Sequence, residues 1–137
     1  MQLNPYLNFN GQCEEALTFY AKVLGGEIIM MLKGRETPMA DKMPPDFLDK
    51  VMHGRIGVGG TLLMGSDASA EHFNQPQGFS VTLSFTDVAE AKRIYDVLSE
   101  GAQKITMVFQ ETFWAAGFGT FVDKFGTPWM VNCEKPM

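Results

Sequence analysis

Hydrophobic and polar positions change period several times along the chain. Leu3, Pro5, Leu7 and Phe9 alternate with Asn4, Tyr6 and Asn8, the period-two signature of a strand. A proline near its start suits a first residue or a sheet edge. Asn10-Gly11 breaks the pattern. Cys13 to Leu24 then places Ala16, Leu17, Tyr20, Val23 and Leu24 at helical spacing, and Gly25-Gly26 ends the helix. Glu27 to Lys33 is an apolar run that reads as a strand. Residues 34–49 hold Gly34, Pro38, Pro44 and Pro45 among charges, which predicts a long loop with a short helical turn near Asp46-Phe47-Leu48. Val51 to Val58 and Thr61 to Ser66 are two strands joined by Gly59-Gly60, a two-residue hairpin signal.

Ala68 to Gln77 is polar, contains Pro76, and reads as the linker. Beyond it the order recurs. Gly78 to Phe85 alternates as a strand, and Asp87 is placed to cap a helix running to Leu98 through Val88, Ala91, Ile94, Tyr95 and Leu98. Gly101 ends that helix. Ile105 to Gln110, Gly117 to Asp123 and Pro128 to Cys133 are three further strands, the last two flanking Lys124-Phe125-Gly126-Thr127. The pattern is βαβββ twice. Phe9-Asn10 precedes a helix containing Glu15-Ala16 and Phe19-Tyr20, and Phe85-Thr86 precedes one containing Glu90-Ala91 and Ile94-Tyr95, roughly 75 residues on. Each half is too small to bury a sheet face alone, so the expectation is one domain of two modules, about 1–67 and 78–137, with a linker at about 68–77.

Length and composition narrow the functions. With 137 residues, a full nucleotide-binding sheet would be cramped. The formal net charge of −5 counts against nucleic acid and against anionic membrane surfaces as partners. The N-terminus has no basic segment followed by an apolar run, and no stretch has the length of a bilayer span. Cys13 and Cys133 lack any CxxC spacing, so both read as free thiols in a reducing cytoplasm. The chain is rich in Met (10) and Phe (11), residues that fill cores and also line adaptable pockets.

At this point the chain resembles the vicinal oxygen chelate superfamily of glyoxalase I, bleomycin-resistance proteins and extradiol dioxygenases. More closely, it is similar to the PhnB-like branch, often labelled 3-demethylubiquinone-9 3-methyltransferase-like. Pro5-Tyr6-Leu7-Asn8-Phe9, Ala16-Leu17-Thr18-Phe19-Tyr20, Met52-His53 and Met64-Gly65-Ser66-Asp67 carry this likeness. The more specific runs are Gln110-Glu111-Thr112-Phe113-Trp114, Gly117-Phe118-Gly119 and Asp123 to Trp129. The resemblance implies an α+β fold, two paired βαβββ modules forming a curved mixed sheet, and a homodimer whose cups hold ligand. In metal-using relatives, His or Glu at four equivalent strand positions holds a divalent ion that stabilises a developing oxyanion. Carried over by spacing, those positions fall at Pro5, near Met64, at Phe79 or Ser80, and at Met130. Thioethers are soft, weak ligands for such ions, so the expectation is no family metal site and no cofactor.

Several side chains remain as candidates. His53 reads as a base or ligand facing the cup, or as a half-buried strand histidine with a satisfied hydrogen bond. Glu111 lies between Phe109 and Phe113-Trp114; desolvated there its pKa would rise and it could act as a base, whereas an exposed or ion-paired Glu111 could not. Met64, Asp67, Phe109, Trp114, Phe118 and Met130 are the expected ligand-binding set, with Asp67 and Asp123 also suited to capping backbone amides. Gly57-Val58-Gly59-Gly60 leads into a strand rather than a helix, which counts against a nucleotide-type glycine loop and against the methyltransferase label. Two functions stay open: a metal-free binding protein for a small apolar or aromatic molecule, and a lyase, isomerase or dioxygenase with metal recruited through His53, Asp67 or Glu111.

Overall fold

The computed structural model describes residues 1–136. Strands and helices follow in the order β1 (Tyr6–Phe9), α1 (Cys13–Leu24), β2 (Glu27–Lys33), β3 (Val51–Val58), β4 (Thr61–Asp67), β5 (Val81–Phe85), α2 (Val88–Leu98), β6 (Lys104–Gln110), β7 (Ala115–Val122) and β8 (Pro128–Glu134). The chain divides into two compact units, the first Met1–Asn74 and the second beginning at Gln75. Each holds one βαβββ repeat and one four-stranded mixed sheet, ordered β1-β4-β3-β2 in the first and β5-β8-β7-β6 in the second. This is the α+β, glyoxalase-like architecture.

Local sequence explains most boundaries. In α1 the buried stripe is Cys13, Ala16, Leu17, Tyr20 and Ala21, and Gly25 takes the left-handed conformation (φ 67°) that closes the helix. In α2 the stripe is Ala91, Ile94, Tyr95 and Leu98, and the Asp87 carboxylate accepts a bond from the Ala89 amide at the N-terminus. Gly59 and Gly60 both have positive φ, as a tight hairpin between β3 and β4 requires. Between β2 and β3 the short turn expected near Asp46 forms at Pro45–Phe47, and two further 3-10 turns, Gly34–Glu36 and Ala40–Lys42, precede it. The first strands of both repeats are shorter than the alternation predicts. β1 starts at Tyr6 rather than Leu3, whose side chain is fully exposed, and β5 starts at Val81 rather than Gly78.

Each helix covers one face of its own sheet. In the first unit the buried apolar side chains are Leu7, Phe9, Val51, Ile56 and Leu63 of the sheet and Leu17 and Tyr20 of α1, and α1 lies against β3 and β4. Gly54 sits where a Cβ would lie 2.6 Å from Leu17 Cδ1, so glycine lets α1 approach β3. In the second unit Phe121, Trp129, Val131 and Cys133 pack under Ile94, Tyr95 and Leu98. The opposite face of each sheet has no helix of its own unit over it, and its side chains are half-buried or exposed.

Candidate functional site

Two buried aspartates fix the ends of the strands. Asp67, at the end of β4, accepts the Cys13 amide on one oxygen and the Val51 amide on the other, both at 2.9 Å. It thereby ties together the starts of α1 and β3. Both its oxygens point into the protein, so the structure places it as a bracket. Asp123, fully buried after β7, accepts the Phe125 and Thr127 amides at 2.9 Å and the Trp129 indole N–H at 2.8 Å. This explains the Asp123–Trp129 run as a self-contained turn. The buried Cys13 thiol lies beside Asp67. Burial first, then the negative charges of Asp67 and Glu14, push its pKa far above the ordinary thiol value. A thiol held neutral is a poor nucleophile and a poor metal ligand.

The open face of the first unit is built by register. Tyr6 of β1 pairs with Met64 of β4, Met64 with Arg55 of β3, and Arg55 with Met30 of β2, so these four form one row across the sheet. His53 is two residues from Arg55 on the same strand and therefore on the same face. The Arg55 Nε–H donates to His53 Nε2 at 2.7 Å, which leaves the imidazole proton on Nδ1, and Nδ1 lies 3.5 Å from the Tyr6 hydroxyl. His53 is thus half-buried on its strand and hydrogen-bonded on both ring nitrogens. Alternation of His53 and Arg55 is visible in the sequence. The arrival of Tyr6 beside them depends on the parallel β1–β4 pairing and is not.

On the second unit's open face, Thr82, Met130 and Thr120 share a row, and Ser84, Asn132 and Phe118 share the next. Trp114 stands edge-on to Phe118 at 5.5 Å and to Phe113 at 4.8 Å. Asn132 Oδ1 is buried and accepts no hydrogen bond among the described residues. Phe109 does not join this face. Its ring lies over Gly117, where a Cβ would come within 2.2 Å of it, and 5.6 Å from Tyr95 of α2. Irregular pairing between β6 and β7 puts it on the helix side, which simple alternation could not foresee. Nor does Glu111 lie in an apolar setting. Its side chain is 73% exposed and its carboxylate faces Lys135 at 3.6 Å, so the desolvation that would make it a base is missing.

Tyr6, not Pro5, lies opposite Met64, and Thr82, not Phe79 or Ser80, lies opposite Met130. A phenol, a hydroxyl and two thioethers do not make a hard-cation site. Among the described residues no group of three or more His, Cys, Asp or Glu side chains comes together as a metal would need. No helix among them is long and apolar enough to cross a membrane.

Residues 1–132 match the family described as 3-demethylubiquinone-9 3-methyltransferase. Protein YjdN of Escherichia coli (strain K12) is 38% identical over 143 residues, covering 98% of this chain and 97% of that protein. The crystal structure of protein PA1353 from Pseudomonas aeruginosa is 42% identical with a TM-score of 0.89, covering 99% of both chains. The PhnB protein from Bacillus cereus shares the fold at 21% identity and a TM-score of 0.82, covering 97% of this chain and 99% of that one.

Proposed function

The chain belongs to the 3-demethylubiquinone-9 3-methyltransferase family, a PhnB-like branch of the vicinal oxygen chelate superfamily, and from that premise we propose that it binds a small apolar or aromatic molecule without a metal. The observation that carries this is chemical. The open sheet faces present Met64 in one unit and Met130, Phe118 and Trp114 in the other, at and around the positions where the superfamily's chemistry needs hard ligands. Flexible thioethers and aromatic rings are suited to apolar contact rather than to coordination.

The family's description names a methyl transfer, and the residues present do not fit a nucleoside-type methyl donor. The carboxylates best placed at strand ends to take ribose hydroxyls, Asp67 and Asp123, are filled by the protein's own N–H groups. The first turns of both helices are likewise capped by the chain's own carboxylates, Asp67 at α1 and Asp87 at α2. Gly57 to Gly60 belong to a hairpin.

A homodimer is part of this reading. The edge strands β2 and β6 expose Ile28, Ile29 and Met30, and Ile105 and Val108, apolar side chains on unpaired strand edges of the kind a partner covers. A second copy of the chain is the proposed cover, to be checked by light scattering as twice the chain's mass.

The binding reading is tested by calorimetric titration of the full chain with 2-naphthylmethanol, before and after chelator treatment. The expected outcome is saturable binding that the chelator leaves unchanged and that Met64→Ala or Phe118→Ala weakens about five-fold, as loss of ~1 kcal/mol of apolar contact dictates. Stoichiometric zinc, nickel, iron or manganese in protein purified without chelator, or binding lost with the metal, would overturn it.

A further inference from the structure

We infer that Arg55, with His53 and Tyr6, forms a carboxylate-binding site on the open face of the first unit. The ligand would be a small molecule carrying a carboxylate on an apolar body. This rests on the proposal that the open faces bind small molecules, and it names the ligand class for one of them.

Three observations support the site. First, the chain has three arginines, and two of them hold a carboxylate: Arg35 pairs with Asp49 and Arg93 with Glu90, both at 2.6 Å. Arg55 pairs with none of the carboxylates among the described residues. Its one recorded hydrogen bond is the Nε donation to His53. Two lysines of the first unit are also engaged, Lys33 by Glu14 and Lys50 by the Gly11 carbonyl. A half-buried guanidinium without a counter-anion is costly, and an incoming anion removes the cost.

Second, the guanidinium is held in place. With Nε committed to His53, its two Nη groups form the free edge of a planar fork, the geometry that receives both oxygens of a carboxylate. The His53 ring stands between Arg55 and Tyr6, its centroid 5.9 Å from the tyrosine ring. Because Nδ1 is the protonated nitrogen, the Tyr6 hydroxyl can accept from His53 and turn its own O–H toward the ligand. With the imidazole neutral, the cluster carries one positive charge, which favours a monoanion over a phosphate dianion.

Third, the seat around the fork is apolar. Met64 separates Tyr6 from Arg55 in the row, Met30 lies on the other side of Arg55, and Leu32 pairs with His53. Two thioethers flanking one cation suit an arene or alkyl body attached to the carboxylate.

The experiment is calorimetric titration of the full-length wild type, Arg55→Gln and Arg55→Lys with 2-naphthoate, with the uncharged 2-naphthylmethanol and with inorganic phosphate. Thermal melts establish that the variants are folded. In the wild type 2-naphthoate should bind at least about ten-fold more tightly than the alcohol, as a charge-assisted fork contact implies, and phosphate should bind weakly. Arg55→Gln should erase the preference for the carboxylate over the alcohol, and Arg55→Lys should keep part of it. Binding of both naphthalene compounds with equal affinity, or a preference that survives in Arg55→Gln, overturns the carboxylate site and leaves the apolar-binding reading standing. Tighter binding of phosphate than of 2-naphthoate overturns the ligand class. Failure of both naphthalene compounds to bind overturns both readings together.

Discussion

Across the open face of the first unit the central row reads Tyr6, Met64, Arg55, Met30; in the second unit the matching row reads Thr82, Met130, Thr120, with Thr106 hydrogen-bonded to Thr120 beside it. One methionine keeps its place in both. Around it the first unit puts a cation, an imidazole and a phenol, and the second puts hydroxyls, the Asn132 amide and an aromatic pair. The helix-covered faces differ less, since both are filled by aliphatic and aromatic side chains. A repeated scaffold therefore constrains the covered face, where volume must be filled, and leaves the open face to diverge.

The units also differ in where each spends its buried carboxylate. Phe9 pairs with Asp67 at the end of one parallel ladder, and at the same place in the other Phe85 pairs with Cys133. The first unit anchors α1 and β3 through Asp67. The second has no such bracket and instead stiffens its β7–β8 turn through Asp123.

The largest expected effects break these two anchors. Asp123→Ala strands two amides and an indole N–H in a fully buried site and should cost about 3–5 kcal/mol in denaturant unfolding. Asp67→Ala strands two amides and should cost about 2–4 kcal/mol. If Asp67→Ala proves the more damaging, the ranking by stranded donors is wrong.

A smaller effect sharpens the comparison of the covered faces. An alanine Cβ at position 117 would overlap the Phe109 ring at 2.2 Å, whereas one at position 54 meets the movable end of Leu17 at 2.6 Å. Gly117→Ala should therefore cost about 1–3 kcal/mol, and Gly54→Ala less. Equal melting temperatures for the two variants would contradict this.

The smallest effect is in pH. The Cys13 thiol has a raised pKa in the folded chain, and an ordinary value near 8.5 when unfolded. Above about pH 8.5 the unfolded chain releases a proton that the folded chain keeps. Stability is therefore unaffected by this group below that pH and falls above it, by at most about 1.4 kcal/mol per pH unit. Cys13→Ala should flatten the melting temperature between pH 8.5 and 10. Further loss at higher pH would remain from Tyr95 of the second unit, whose pKa burial also raises. An unchanged slope in Cys13→Ala would show that another group controls alkaline stability.

Much of this was legible in the letters. The recurrence of Phe9-Asn10 and Phe85-Thr86 before helices with matching stripes gives the doubled βαβββ order. Gly25, Asp87 and Gly59-Gly60 mark their turns and caps, because each answers a backbone demand within a few residues of itself. The side chains of the open faces were only half legible. His53 and Arg55 share a face by alternation alone. Alternation misplaced Phe109, however, because the ladder beside it is irregular. Glu111, flanked by aromatics in sequence, is exposed and faces Lys135.

The sequence by itself determined which segments become strands and helices, and the face each residue takes wherever the strands are regular. Periodicity and capping are short-range properties of the chain. The tertiary structure alone decided register and long-range partners: Tyr6 rather than Pro5 beside Met64, and the Asp67 carboxylate on amides 54 and 16 residues away. Register depends on turn lengths and on pairings between distant strands, and no local pattern encodes either.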